Sequence, residues 1–149
     1  MAKNSFARLT RIVTGAFGTA RDEAFSFETS LTGWGQNGSA TVTRVAGGVD
    51  GSWCANITGP ATTAEFGLND SPNWLLTITG GARYRYTAWV KSAVAGRARL
   101  KLREYHSGSQ VGSTMYSSIL TLGPSWQSLT VDVVAQATGN TLDLQVLDQ

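Results

Sequence analysis

A chain of 149 residues can bury the core of one domain, and its 42% hydrophobic content with only 15% charged residues excludes a disordered tail. The formal net charge of +2 is too small to indicate a nucleic-acid partner, and the single cysteine excludes an intrachain disulfide. No apolar run approaches the roughly 20 residues that cross a bilayer, so no membrane partner is expected.

Residues 1–23 differ from the rest of the chain and are predicted to form an arm. Four basic residues precede the first acid, Asp22, and the apolar residues have a roughly helical spacing that Gly15 and Gly18 interrupt. We expect this segment either to anchor the protein to another subunit or to add an edge strand to its own domain. The residues expected to make anchoring contacts are Phe6, Arg8, Leu9, Arg11 and Ile12.

Residues 24–149 predict one antiparallel two-sheet β-sandwich, so the fold class is all-β with an extra N-terminal arm. Short alternating segments are separated by Gly, Asn, Asp and Ser, which is typical of sandwiches, and no segment keeps a helical period. The strands are expected at 25–28, 40–45, 52–58, 75–79, 84–92, 97–105, 114–122, 126–135 and 141–147.

Two of these strands, near 83–91 and 97–105, each have an apolar side and a basic side, because successive side chains of a strand alternate. Seven of the twelve Lys and Arg residues lie between Arg83 and Arg103, and no acid does. Since sequential strands are often neighbours, the two basic sides are expected to form one surface.

That surface is predicted to bind a glycan, acidic glycans included, because Trp89 could stack on a sugar ring while guanidinium groups bind hydroxyls, carboxylates or sulfates. The alternative is a solvated outer face that keeps the sheet soluble. The predicted glycan-binding residues are Trp89, Arg83, Arg85, Arg99, Lys101, Arg103, Tyr105 and Trp74.

The sequence offers no pattern for catalysis, so the protein is predicted not to be an enzyme. His106 is the only histidine, and no Gly-x-Ser-x-Gly motif accompanies it. One cysteine and one histidine cannot complete a zinc site unaided, and no phosphate-binding loop is present.

Several motifs resemble carbohydrate-binding modules of the family 4/9 type over residues 25–147. They are Phe27-Glu28 followed by Gly33-Trp34, the turn at 47–52, the run Tyr-Arg-Tyr-Thr-Ala-Trp-Val-Lys at 84–91, the run at 102–105, and the closing segment that begins at Ser125. The resemblance implies a galactose-binding-domain-like jelly roll without an active site. No cofactor is expected to be required. Many members of the family hold one structural calcium ion, and on that resemblance Glu28 and Asp143 are the candidate ligands. Members usually continue into one more strand, whose place residues 10–14 or a neighbouring molecule would fill.

The sequence has no recognisable signal peptide, so synthesis in the cytoplasm is expected. A glycan-binding module made there could reach its ligand on a phage or phage-like particle, as a capsid decoration or an adhesion protein in many copies. Two alternatives stay open at this point. One is a module excised from a secreted polysaccharide-degrading enzyme, and the other is a structural virion protein that binds no glycan.

Overall fold

A computed structural model describes residues 27–49, 51–60, 65–73 and 77–149, and the backbone of two N-terminal strands. Every regular element in these ranges is a β-strand. The strands are β1 (Lys3–Thr14), β2 (Ala20–Arg21), β3 (Trp34–Asn37), β4 (Thr41–Ala46), β5 (Trp53–Gly59), β6 (Phe66–Asp70), β7 (Arg83–Lys91), β8 (Arg97–His106), β9 (Ser109–Tyr116), β10 (Leu120–Thr121), β11 (Gln127–Val134) and β12 (Thr141–Asp148).

The strands form two sheets that pack face to face. The first sheet has the order β11-β7-β1-β5-β4, with β2 beside β1. The second has the order β10-β8-β12-β6-β3, with β9 beside β8. The described pairs are antiparallel, which confirms the predicted all-β sandwich of the jelly-roll kind. The described residues contain no helix long and apolar enough to cross a membrane.

The core lies between the sheets and follows the alternation seen in the sequence. Tyr86 and Val90 point inward from β7 of the first sheet, and Leu100 of β8 and Leu142 and Leu144 of β12 point inward from the second sheet. Each of these side chains is at most 2% exposed. Burying an aliphatic side chain of this size contributes about 1.5–3 kcal/mol, so the inward faces hold the two sheets together.

The backbone of β1 lies inside the first sheet rather than at an edge. It pairs with β5 from Lys3 to Ala7 and with β7 from Phe6 to Thr14. An edge strand was one sequence-based alternative for this segment, and the described backbone gives it two neighbours instead. The anchoring role of Phe6, Arg8, Leu9, Arg11 and Ile12 stays a prediction.

Some strand predictions differ from the structure. At the first predicted strand, side-chain hydrogen bonds rather than pairing with a neighbouring strand hold the chain. Residues 27 and 28 of the predicted first strand are not in a strand. Phe27 adopts a positive φ of 47°, and Glu28 accepts hydrogen bonds from the backbone amides of Ser52 and Trp53 at 3.1 and 3.0 Å. The short strands β3 and β6 were missed because their polar and glycine residues hide the alternation. The predicted strand at 75–79 falls partly outside the described residues, and 77–79 are not in a strand.

Candidate functional site

The two basic strands lie in different sheets, so the expected single surface is wrong. β7 belongs to the first sheet and β8 to the second, and the connection at 92–96 crosses between them. Each strand has one apolar side that must be buried, and facing the apolar sides of β7 and β8 across the core satisfies both. The basic sides therefore point away from each other. Arg83, Arg85 and Trp89 lie on one outer surface, and Arg99, Lys101, Arg103 and Tyr105 lie on the opposite one.

On the outer surface of the second sheet, two outward side chains of β12 are covered by neighbouring groups. Leu142, Leu144 and Val146 belong to the core, so Asp143 and Gln145 point outward, yet they are only 5% and 2% exposed. By contrast, the outward residues of β11 in the first sheet are exposed. We call this polar strip along β12 the trough, and its residues are Asn69 of β6, Lys101 and Arg103 of β8, and Asp143 and Gln145 of β12.

Polar groups line the floor of the trough and bind each other. Arg103 Nε donates a hydrogen bond to Asp143 Oδ2 at 2.8 Å, and Arg103 Nη2 lies 2.7 Å from the same oxygen. Gln145 Nε2 donates to Asn69 Oδ1 at 2.6 Å. Gln145 Oε1 is buried and has no hydrogen-bond partner in the described part of the chain. The floor therefore holds one acceptor that the protein itself leaves unused, and such a group is costly to bury.

Glu65 neutralises the basic residues at the other end of the trough. Its carboxylate lies 2.9 Å from Arg99 and 3.9 Å from Lys101. With Arg103 bound to Asp143, the three cations of β8 between 99 and 103 all have an acidic partner. The trough is polar, but it is not a strongly basic surface.

Two tyrosines stand at the β8–β9 side of the trough. Tyr116 of β9 pairs with Lys101, is 43% exposed, and has the guanidinium of Arg99 3.9 Å from its ring centre. Tyr105 of β8 is partly exposed, and Arg103 lies 5.5 Å from its ring centre. A guanidinium group therefore lies near each ring, beside the polar floor.

The outer surface of the first sheet carries the rest of the predicted set. Arg85 binds Asp132 of β11 through two hydrogen bonds of 2.7 and 2.8 Å. This hydrogen bonding holds the pKa of Asp132 below its ordinary value. Trp89 is partly exposed on the same surface. The aromatic ring and the arginines of β7 thus share a surface as predicted, without the residues of β8.

The remaining predicted residues divide between described and undescribed parts of the chain. Trp74 lies outside the described residues. The preceding Asn73 donates a hydrogen bond to Thr141, the first residue of β12, at 2.9 Å. Glu28 and Asp143, the suggested calcium ligands, are held separately by backbone amides and by Arg103. Among the described residues no group of three or more metal-ligating side chains converges. Calcium binding stays a prediction.

Near His106, a buried carboxylate on β8 is bonded to the turn between β11 and β12. Glu104 is fully buried and accepts hydrogen bonds from the backbone amides of Gln136 and Ala137 and from the side chain of Asn140, the last at 2.6 Å. His106 Nδ1 lies 2.8 Å from Asn140 Oδ1. All the groups in this network hold the β11–β12 turn to β8, and no hydroxyl nucleophile joins them in the described residues.

Sequence reasoning missed Tyr116, Asn69, Gln145 and Glu65. The alternation in β12 carried a usable signal for Gln145, because it places this residue opposite the core leucines. The sequence around Glu65 and Asn69 gave no such signal. These residues reach the trough because β6 pairs with β12, and the paired residues Asn69 and Gln145 are 76 positions apart in the chain.

Comparisons with known proteins identify the fold of the chain but do not assign it to a family. No family model and no curated protein matches the chain. A structure of Clostridium thermocellum endo-1,4-β-D-xylanase 10B, comprising its CBM22-1 and GH10 modules with xylohexaose, aligns with a TM-score of 0.66 at 16% identity. The C-terminal family 22 carbohydrate-binding module of the same enzyme aligns with a TM-score of 0.58 at 20% identity. The chain has the jelly-roll fold of carbohydrate-binding modules.

The extent of the two alignments differs. The first covers 93% of this chain and 25% of the xylanase chain, so the chain spans about a quarter of that protein. The second covers 83% of this chain and 81% of the module, so in size the chain corresponds to one module. The more specific family 4/9 type inferred from the sequence motifs stays a prediction within this fold.

Proposed function

We propose that this protein is a non-catalytic module that binds an uncharged polysaccharide in the trough. The observation that carries the proposal is a floor of outward-pointing but buried polar side chains, Asp143 and Gln145, beside the rings of Tyr105 and Tyr116. A sugar chain needs both features, because its ring faces are apolar and its hydroxyls are polar.

Each part of the trough has a defined task in this proposal. Tyr116 stacks on a pyranose ring at the margin, and its exposed fraction of 43% leaves the ring accessible. Gln145, whose Nε2 donates to Asn69 Oδ1 at 2.6 Å, holds the polar floor in place beneath the ligand. Arg103 and Asp143, already bound to each other, present fixed donor and acceptor atoms to neighbouring hydroxyls.

The charge of the trough supports an uncharged ligand over an acidic one. Arg99 and Lys101 share Glu65, and Arg103 binds Asp143. A ligand carboxylate would have to displace one of these acids, which costs the existing ion pair. Sugar hydroxyls bind without that loss, so a neutral polysaccharide is the better match.

Calorimetric titration with xylohexaose and a panel of other neutral oligosaccharides tests the proposal. We expect Tyr116→Ala to weaken the best ligand about five- to tenfold, the order of an aromatic contact. Trp89→Ala is the matched control, since it removes a partly exposed aromatic ring from the opposite sheet. Binding that is lost with Trp89→Ala and kept with Tyr116→Ala would contradict the assignment of the site to the trough.

We propose further that the module acts in many copies on a phage or phage-like particle. A shallow trough with one ligand chain binds weakly, and repetition on a particle makes weak sites effective. The rival settings are a module excised from a secreted enzyme and a structural virion protein that binds no glycan. Light scattering on the full chain measures its molar mass in solution. An oligomer would support display in many copies on a particle, and a strict monomer would contradict it.

A further inference from the structure

We infer that the outer surface of the first sheet is a second, independent binding site, and that its ligand is an acidic polysaccharide. We call this surface the basic face, and its residues are Arg83, Arg85, Trp89, Lys91 and Asp132, with Trp126 at the start of β11. It lies on the opposite side of the sandwich from the trough, so the two sites share no residue.

The basic face has more positive than negative side chains among the described residues, whereas each basic residue of the trough has an acidic partner. Arg83 is exposed, and its guanidinium makes no ion pair with a described residue. Arg85 binds Asp132, the one acid of this surface among the described residues. Lys91 adds a third basic residue to the same side of β7. With a net charge of only +2 on the whole chain, this concentration on one surface favours an anionic ligand.

Aromatic rings lie among these charges. Lys91 Nζ is 4.6 Å from the ring centre of Trp126, and Trp89 is partly exposed two residues before Lys91 on the same side of β7. An aromatic face beside a cation suits a sugar that carries a carboxylate or sulfate, because the ring stacks on the sugar and the cation pairs with its acid.

Hydroxyl chemistry on the basic face favours a polysaccharide over DNA. Thr87 and Thr130 face each other at 3.2 Å between their hydroxyl oxygens, and the Asp132 carboxylate lies next to them along β11. Asp132 accepts hydrogen bonds, which sugar hydroxyls supply and a DNA phosphate backbone does not. From Arg83 to Lys91 the strand spans roughly 27 Å, enough for an extended polymer.

A pair of matched arginine variants tests this inference by affinity electrophoresis in polygalacturonate. Arg83→Gln removes an exposed arginine from the basic face. Arg97→Gln removes an exposed arginine from the start of β8 in the second sheet, and neither guanidinium is ion-paired to a described residue. We expect Arg83→Gln to weaken polygalacturonate binding about two- to fivefold at low salt, the order of one exposed charge contact, and Arg97→Gln to leave it unchanged.

A second variant separates a sugar site from a simple charge effect. Trp89→Ala keeps the net charge, and we expect it to weaken polygalacturonate binding about two- to tenfold while thermal unfolding stays cooperative. Equal losses for Arg83→Gln and Arg97→Gln, or no loss for Trp89→Ala, would overturn the inference. Tighter binding to single-stranded DNA of equal charge than to polygalacturonate would overturn it as well, because the ligand would then be a nucleic acid.

Discussion

Tyr84 and Tyr86 are two residues apart on the same side of β7, but only the Tyr84 hydroxyl has a hydrogen-bond partner among the described residues. Tyr84 accepts a hydrogen bond from the backbone amide of Thr79 at 2.8 Å. The Tyr86 hydroxyl is buried and has no partner among the described residues, and burial raises its pKa well above the ordinary value. The difference follows from position, since Tyr84 reaches the loop at one end of the sandwich and Tyr86 lies deep in the core.

Removing the Tyr86 hydroxyl is therefore expected to stabilise the protein. Tyr86→Phe should raise the free energy of unfolding by up to about 1–3 kcal/mol, because it removes an unsatisfied buried polar group. The matched change Tyr84→Phe should lower it by about 0.5–1.5 kcal/mol through the lost hydrogen bond. Urea unfolding of both variants measures the difference, and a destabilised Tyr86→Phe variant would refute the assignment of an unsatisfied hydroxyl.

At the scale of elements, one buried carboxylate connects β8 to the turn between β11 and β12. Glu104 is inward on β8 and binds two backbone amides of the turn and the side chain of Asn140. A cation is not among its described partners, so backbone and amide donors alone satisfy the charge. The turn is thus held in part by a residue 32 positions earlier in the chain.

Glu104→Gln is expected to lower the free energy of unfolding by about 2–3 kcal/mol, since it replaces an acceptor of charge-assisted hydrogen bonds with a donor facing other donors. Hydrogen exchange of the Gln136 and Ala137 amides should speed up more than exchange in β5, which is remote from the turn. Asp132→Asn, an exposed acid on β11, serves as the control and should change stability less. Equal effects of the two variants would mean that Glu104 does not hold the turn.

At the scale of the whole molecule, the N-terminal strand completes the first sheet. β1 lies between β5 and β7, so its removal would leave both neighbours with unpaired backbone groups and would open the sheet beside Tyr86, Ala88 and Val90. Unpaired strand edges of this kind promote aggregation. An anchoring arm that only touches another subunit would be dispensable for folding.

Deletion of residues 1–23 is therefore expected to abolish cooperative thermal unfolding and to produce aggregates in light scattering. Adding a synthetic peptide of residues 1–23 should restore a soluble, cooperatively folded species, because the peptide can pair with both exposed strands. A truncated chain that stays monomeric and unfolds cooperatively would show instead that the sheet is stable without β1.

The alternation of apolar and polar residues determined the fold class and the inward side of the long strands, because a strand's side chains alternate whatever its neighbours are. It predicted the core positions Tyr86, Leu100 and Leu144, and it identified Trp89, Arg83 and Arg85 as one outward group.

Only the tertiary structure decided which outward groups meet. Strand pairing joins residues far apart in sequence, and the local pattern says nothing about the partner. The chain crosses between sheets after β7, so the basic sides of β7 and β8 lie on opposite surfaces, and β6 brings Asn69 to Gln145. The candidate site therefore depends on long-range pairing, whereas the core depends on an alternation that each strand carries by itself.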